Sequence, residues 1–212
     1  MTPKIIRITI KSAATFGRGD GVAGLVDREI EHDKYGLPFL RGKTLKGLLA
    51  ESAENIVYSL KNAERWRTAK DGLFGLPGRG GNEERGNLHI GDALLPSGLR
   101  LAIMAEKNLS AEDVLHGLTG IRRQTAMNTD GGPDHASLRS MRVLLPGVVL
   151  ESELHYEVEP TEDQLNLLAA SALDLRRAGT GRNRGRGHIL LELDDDKSTR
   201  ELYEQFAKAV TA

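Results

Sequence analysis

Gly179-Thr-Gly-Arg-Asn-Arg-Gly-Arg-Gly187 lies between a helical repeat and a short apolar strand. Upstream, Glu162 to Arg177 places Leu165, Leu168, Ala169, Ala172 and Leu175 at the 3.6-residue period of an amphipathic helix. Downstream, His188–Leu193 reads as a closing strand. The nonapeptide is therefore a long helix-to-strand connection in which four glycines alternate with three arginines. A helix end needs one glycine, not four. Glycine lets backbone N–H groups approach an anion closely, and arginine offers a planar, permanently charged donor fork. That chemistry is a clamp for phosphate. It is not a Walker loop, which needs Gly-x-x-x-x-Gly-Lys-Ser/Thr and opens a helix rather than following one.

Working outward, Lys4–Lys11 is β-branched and partly alternating and reads as a first strand. Thr44 to Leu60 has helical spacing through Leu45, Leu48, Leu49, Ala53, Ile56, Val57 and Leu60. Leu88–Leu95 and Leu99–Met104 read as strands about the turn signal Pro96-Ser-Gly98. Leu138–Leu145 and Val148–Val158 read as a hairpin joined at Pro146-Gly147. Ser198–Val210 reads as a terminal helix, and Trp66 with Tyr58 as packing at the end of the first helix. The order strand, helix, two or more strands, helix, strand predicts an α+β, ferredoxin-like βαββαβ core, a plan that RNA-binding modules often use and many unrelated functions share. The 212 residues predict one domain, with insertions at about 15–36, 70–87 and 119–140.

Composition narrows the partners. No run of about 18 apolar residues predicts a membrane span, and the first residues do not form a signal-peptide hydrophobic region, so a cytoplasmic protein without a membrane partner is expected. The absence of cysteine fits a reducing compartment and removes thiolate ligands, and the six histidines lack ligand spacing, so no zinc is expected. Aromatics are only 4%, which argues against recognising bases mainly by stacking. The net charge of −1 hides local excesses. Arg176, Arg177, Arg182, Arg184 and Arg186 follow one another without an intervening acid, whereas residues 147–175 contain acids and no Lys or Arg. Phosphate responds to the local field, within about 10 Å at moderate salt, rather than to the total.

Four segments, in order, resemble the RAMP superfamily of CRISPR-associated proteins. Gly179–Gly187 is similar to its C-terminal glycine-rich loop. Leu37-Pro-Phe-Leu-Arg-Gly-Lys-Thr-Leu-Lys-Gly47 resembles its Leu-Pro-x-Ile-Pro-Gly-Ser-Ser-Leu-Lys-Gly approach to the first helix, with Arg41 for the usual proline and Lys43 for the first serine. Leu73-Phe-Gly75 and Leu88-His-Ile-Gly-Asp-Ala93 resemble the Leu-Phe-Gly loop and the strand after it. The resemblance is strongest to the repeating backbone subunit of type III effector complexes. It implies head-to-tail copies along a guide CRISPR RNA, other effector subunits as neighbours, and a thumb-like hairpin between guide and target, here Thr119–Ser140. It also implies target-RNA cleavage by an aspartate in the loop after the first strand, which matches Asp27.

Asp27 also suits this role chemically. RNA carries its own nucleophile in the 2′-OH, so a carboxylate near the scissile phosphate has only to position, deprotonate, or hold Mg²⁺ through one or two oxygens. Asp20 and Asp33 are rivals in the same loop, and His32 is a candidate assistant. Asp194-Asp-Asp196 reads as helix-start charge. The expected RNA contacts are Arg41, Lys43 and Lys46 at the mouth of the first helix, Arg122 and Arg123 in the thumb, and Gly179, Gly181, Arg182, Arg184, Gly185, Arg186 and Gly187 in the loop. The loop and the helix mouth are expected to converge into one cationic trough. Competing readings are a binding-only subunit, a guide-RNA processing endoribonuclease, and an enzyme with a phosphate-bearing ligand.

Overall fold

The computed structural model describes residues 2–61, 63–76, 86–125, 132 and 138–211. Its elements run β1 (Ile5–Ile10), α1 (Gly42–Tyr58), α2 (Ala63–Phe74), β2 (Leu88–Ile90), α3 (Ser97–Ala105), α4 (Ala111–Leu118), β3 (Thr119–Gln124), β4 (Arg139–Leu144), β5 (Val149–Tyr156), α5 (Glu162–Asp174), β6 (Ile189–Leu193) and α6 (Asp196–Thr211). Four strands form a sheet in the order β2-β5-β1-β6, and every neighbouring pair is antiparallel. With α1 between β1 and β2, and α5 between β5 and β6, this is the predicted ferredoxin-like βαββαβ core.

Alternation sets the faces. Ile6, Ile8 and Ile10 of β1 are wholly buried, as are Leu150 of β5 and Leu193 of β6. They meet the apolar stripes of α1, through Leu45, Leu49, Ala53 and Val57, and of α5, through Leu167, Leu168, Ala169 and Ala172. Each large aliphatic side chain so buried contributes about 1.5–3 kcal/mol. Thr161 and Gln164 form a reciprocal capping box that starts α5. The opposite sheet face is polar and rich in acid, with Glu151 paired to Arg7 at 3.2 Å, Glu153, Glu192 and the neighbouring rings of His89 and His155.

The predicted elements differ from the structure at four places. Leu99–Met104 is helix, not strand: Pro96 and Gly98 open α3, whose residues are all at least partly exposed. Leu138–Leu145 and Val148–Val158 are not a hairpin. The turn at Gly147, φ +91°, passes the chain from one sheet to another, so β5 joins the main sheet and β4 pairs with β3, Thr119 facing Leu144 and Gln124 facing Arg139. The expected loop at residues 70–87 begins later, because α2 continues to Phe74, and 77–85 lie outside the described residues. Trp66 packs edge-on against Phe206 of α6 at 4.7 Å, whereas Tyr58 is exposed.

The glycine-rich insertion after β1 is an ordered ribbon. Phe16–Asp20 pairs with Glu29–Glu31 through Glu31 N to Phe16 O, Arg18 N to Glu29 O and Glu29 N to Asp20 O. Its tip folds back at Val22–Val26, and the next residues run parallel to β4, with Arg28 opposite Met141. The ribbon thereby delivers Asp27 to the edge of the second sheet. Of the expected thumb, β3 and β4 form the base, and residues 126–131 and 133–137 lie outside those described.

Candidate nucleic-acid interface

Past Ile10 the chain continues as Ala13–Thr15, which binds two walls at once. Toward β4, Leu144 N donates to Ala14 O at 2.7 Å and Thr15 Oγ1 to Arg142 O at 2.9 Å. Toward the glycine–arginine loop, Gly187 N donates to Ala13 O at 3.1 Å and Thr180 N to Thr15 O at 2.9 Å. Between the walls lies a cleft of about 460 Å³, lined by Asp27, Arg28, Arg139, Ser140, the backbone of Gly179 and Gly181, and Arg184 and Arg186, among others. The acid of the first insertion and the loop far downstream thus open on one space.

The loop is shaped by its glycines. Gly179, Gly181, Gly185 and Gly187 all have positive φ, and Arg182–Arg184 form a single 3-10 turn. At Gly187 a Cβ would stand 1.9 Å from Ala178 O, so no other residue fits that crossing. Arg186 donates to Gln124 Oε1 of β3 at 2.8 Å and contacts Met141 Sδ at 3.0 Å. Desolvation, with Arg122 and Arg184 nearby, pushes its pKa below the ordinary value, although a guanidinium stays charged. Among the described residues, Arg28, Arg139, Arg184 and Arg186 have no carboxylate ion-pair partner. A concentration of unneutralised guanidinium groups around exposed backbone suits phosphate oxygens.

Asp27 stands at the rim of this field. Its Oδ2 accepts from Ser140 N at 2.6 Å and from Ser140 Oγ at 3.0 Å. The backbone bond first, then the hydroxyl, holds its pKa below the ordinary 3.8, and the Arg139 charge acts the same way. Asp27 is therefore ionised across the neutral range. That favours charge stabilisation and positioning over proton abstraction, for which a pKa near the working pH is best. No three His, Asp or Glu side chains converge as a metal cage among the described residues. One carboxylate fits Mg²⁺ only as a minor ligand, with waters and substrate phosphate supplying the rest.

The helix mouth does not line this cleft. Gly42 N, at the start of α1, already donates to Asp92 Oδ1 at 2.7 Å. Arg41 is held by Glu31 through two hydrogen bonds, 2.6 and 3.1 Å, which raise its pKa. Lys46 donates to Leu88 O at 2.7 Å on the side toward β2, and burial lowers its pKa. Arg41 and Thr44 do border Gly179 and Thr180 in a small adjoining cavity of about 240 Å³. The loop and helix mouth are neighbours, but acids occupy the mouth, and the expected single trough is corrected to the cleft beside Asp27. Lys43 is exposed and does not line it. Arg182 lines the cleft but is tied to Glu51 of α1. Arg122 stands near Arg186, while Arg123 is opposite Ser140 in register and lines no part of the cleft.

Sequence reading missed Arg28, Gln124, Arg139 and Ser140. Arg139 and Ser140 lay within the expected thumb, but only the pairing of the Asp27 segment with β4, Asp27 N donating to Ser140 O at 3.0 Å, shows that they adjoin Asp27.

Comparisons with known proteins agree with this architecture. The RAMP superfamily model matches residues 7–189. No curated protein matches. A chain from the cryo-EM structure of the type III-B Cmr-beta complex bound to cognate target RNA is similar in fold, with TM-score 0.65 and 12% identity, covering 95% of this chain and 99% of that one. A chain from the apo-state structure of type III-B Cmr-beta gives TM-score 0.60 and 14% identity, covering 91% and 97%. With the matched segment running from β1 into β6 and including Asp27, Ser140 and the whole glycine–arginine loop, this chain belongs to the RAMP superfamily.

Proposed function

We propose that the chain is an RNA-guided RNA-binding subunit of a type III CRISPR effector complex. It would bind guide CRISPR RNA along its backbone and cut the paired target RNA beside Asp27. The supporting observation is the single cleft that joins Asp27 to Arg28, Arg139, Arg184 and Arg186 and to the glycine backbone of residues 179–187. Sequence specificity belongs to base pairing, while the protein reads charge and shape. The partners are guide and target RNA, other effector subunits and further copies of the chain arranged head to tail, in the cytoplasm. No described helix is long and apolar enough to cross a membrane.

In the cutting step the target's 2′-OH attacks the adjacent phosphorus, its proton passing to water, and the P–O5′ bond breaks with the departing O5′ taking a proton from water, leaving a 2′,3′-cyclic phosphate and a 5′-OH. The neighbouring arginines stabilise the charge gathering on the non-bridging oxygens. Asp27, fixed by Ser140, orients the attacking group or the water that takes its proton. A Mg²⁺ ion bound through Asp27 and the RNA would add positive charge at the same phosphate.

The test is to assay the full chain carrying guide RNA with a labelled complementary target, as wild type and as Asp27→Ala. Cleavage lost with target binding retained supports the reading. Binding without cleavage in wild type leaves the binding-only subunit, a role suited to the close tether of Asp27 to Ser140. Failure to retain RNA in either form overturns the proposal.

A further inference from the structure

Glu29 and Arg142 carry opposite charges in side chains exposed by only 2% and 3%. Arg142 Nε donates to Glu29 Oε1 at 2.7 Å, and Arg142 Nη1 to Thr119 Oγ1 at 3.3 Å. Glu29 Oε1 also accepts from Ile30 N at 2.9 Å. Burying such a pair is costly, and apolar side chains of similar volume often give equal stability. Its position suggests another use. Glu29 lies two residues beyond Asp27, and Arg142 two residues beyond Ser140. Between the two pairs, Arg28 faces Met141, and Arg142 N donates to Arg28 O at 2.9 Å. The same two segments are thus fastened twice, once in the open cleft by Asp27 with Ser140 and once in the interior by Glu29 with Arg142.

We infer that Glu29 and Arg142 are positioning residues that fix the register of the Asp27 segment on β4. The inference rests on the reading of Asp27 as the cleaving group. Few backbone bonds join these segments, and in extended chains a slip of one residue exchanges the faces of successive side chains. A slip would turn Arg28 toward the place of Asp27. It would also leave Glu29 and Arg142 buried and unpaired, so the interior charges forbid it. Thr119, whose hydroxyl donates to Leu115 O at 2.5 Å, ties the device to the end of α4.

The decisive variant removes both charges at similar volume, Glu29→Met with Arg142→Met. It is measured in the full chain with guide RNA and a labelled complementary target. With circular dichroism and cooperative melting preserved and RNA affinity within about threefold of wild type, cleavage falls at least about tenfold, as displaced catalytic groups require. The Ser140 amide cross-peak in the ¹H–¹⁵N spectrum shifts or broadens as its bond to Asp27 is lost. A folded variant with both the cross-peak and cleavage unchanged overturns the inference. If wild type binds but does not cut, the reading of Asp27 fails separately, and the Ser140 cross-peak alone decides whether the pair sets register. If the double variant does not fold, hydrogen exchange in wild type decides. Amides of Asp27, Arg28 and Arg142 protected by at least about 100-fold uphold the held register, whereas free-loop exchange rates overturn it.

Discussion

Arg182 of the glycine–arginine loop donates two parallel hydrogen bonds to Glu51 of α1, at 3.0 and 2.8 Å. The guanidinium is thereby shared between a helix and the cleft, unlike those of Arg184 and Arg186. Partly exposed pairs of this kind contribute about 0–1 kcal/mol to stability, so an RNA phosphate can compete with Glu51. Arg184→Ala and Arg186→Ala should each weaken RNA binding and reduce the salt slope by about 0.7 for every phosphate left unneutralised. Arg182→Ala should do less, and Glu51→Ala should strengthen binding. Filter binding across a salt series reads all four.

Ser140→Ala keeps the backbone N–H that Asp27 accepts and removes only the hydroxyl. A hydrogen bond to a charged group predicts a loss of at least about tenfold in single-turnover cleavage, with RNA affinity unchanged. Equal losses in both would place Ser140 in binding instead.

Asp27 has a depressed pKa, so its contribution to folding is present above the unfolded value and lost as pH falls through the folded one. The carboxylate is therefore uniformly charged at neutral pH. The cleavage profile should show no acid limb from Asp27 above about pH 4. A limb with its midpoint near pH 6 that vanishes in Asp27→Asn would mean that Asp27 works as a general base with a raised pKa.

Gly185 and Gly187 separate conformation from space. Both have positive φ, but a Cβ at Gly185 meets nothing within 4 Å, whereas at Gly187 it collides with Ala178 O. Gly185→Ala should cost about 1 kcal/mol. Gly187→Ala must move backbone and should cost at least about 2–3 kcal/mol, visible in thermal melts.

Lys46→Met tests the correction at the helix mouth. RNA affinity should stay within about twofold, while stability falls by about 1 kcal/mol as the bond to Leu88 O is lost. A tenfold loss of affinity would restore Lys46 to the interface.

The βαββαβ core was legible because its periodicities are local: Ile6, Ile8 and Ile10 alternate, and Leu165 to Leu175 keep helical spacing. Strand pairing is not local. Nothing in Leu138–Leu145 states that its partner is Thr119–Gln124 rather than the stretch after Pro146-Gly147. At Leu99–Met104 a short apolar run fitted either strand or helix, and the sequence offered no period long enough to choose. The loop was legible as chemistry, and Asp27, beside its rivals Asp20 and Asp33, was legible only through the family resemblance. Their shared cleft was not, nor was the neutralisation of Arg41 and Gly42 by Glu31 and Asp92, since both depend on residues far apart in the chain.

Ala13–Thr15 sets the gape of the molecule. This one stretch of main chain holds both walls, and Arg186 joins the loop a second time to Gln124 of β3, so covalent length and one side-chain tie together set their spacing. Inserting or deleting a single residue there would offset one jaw from the other by about 3.3 Å. The cleft is built as a gauge of set width.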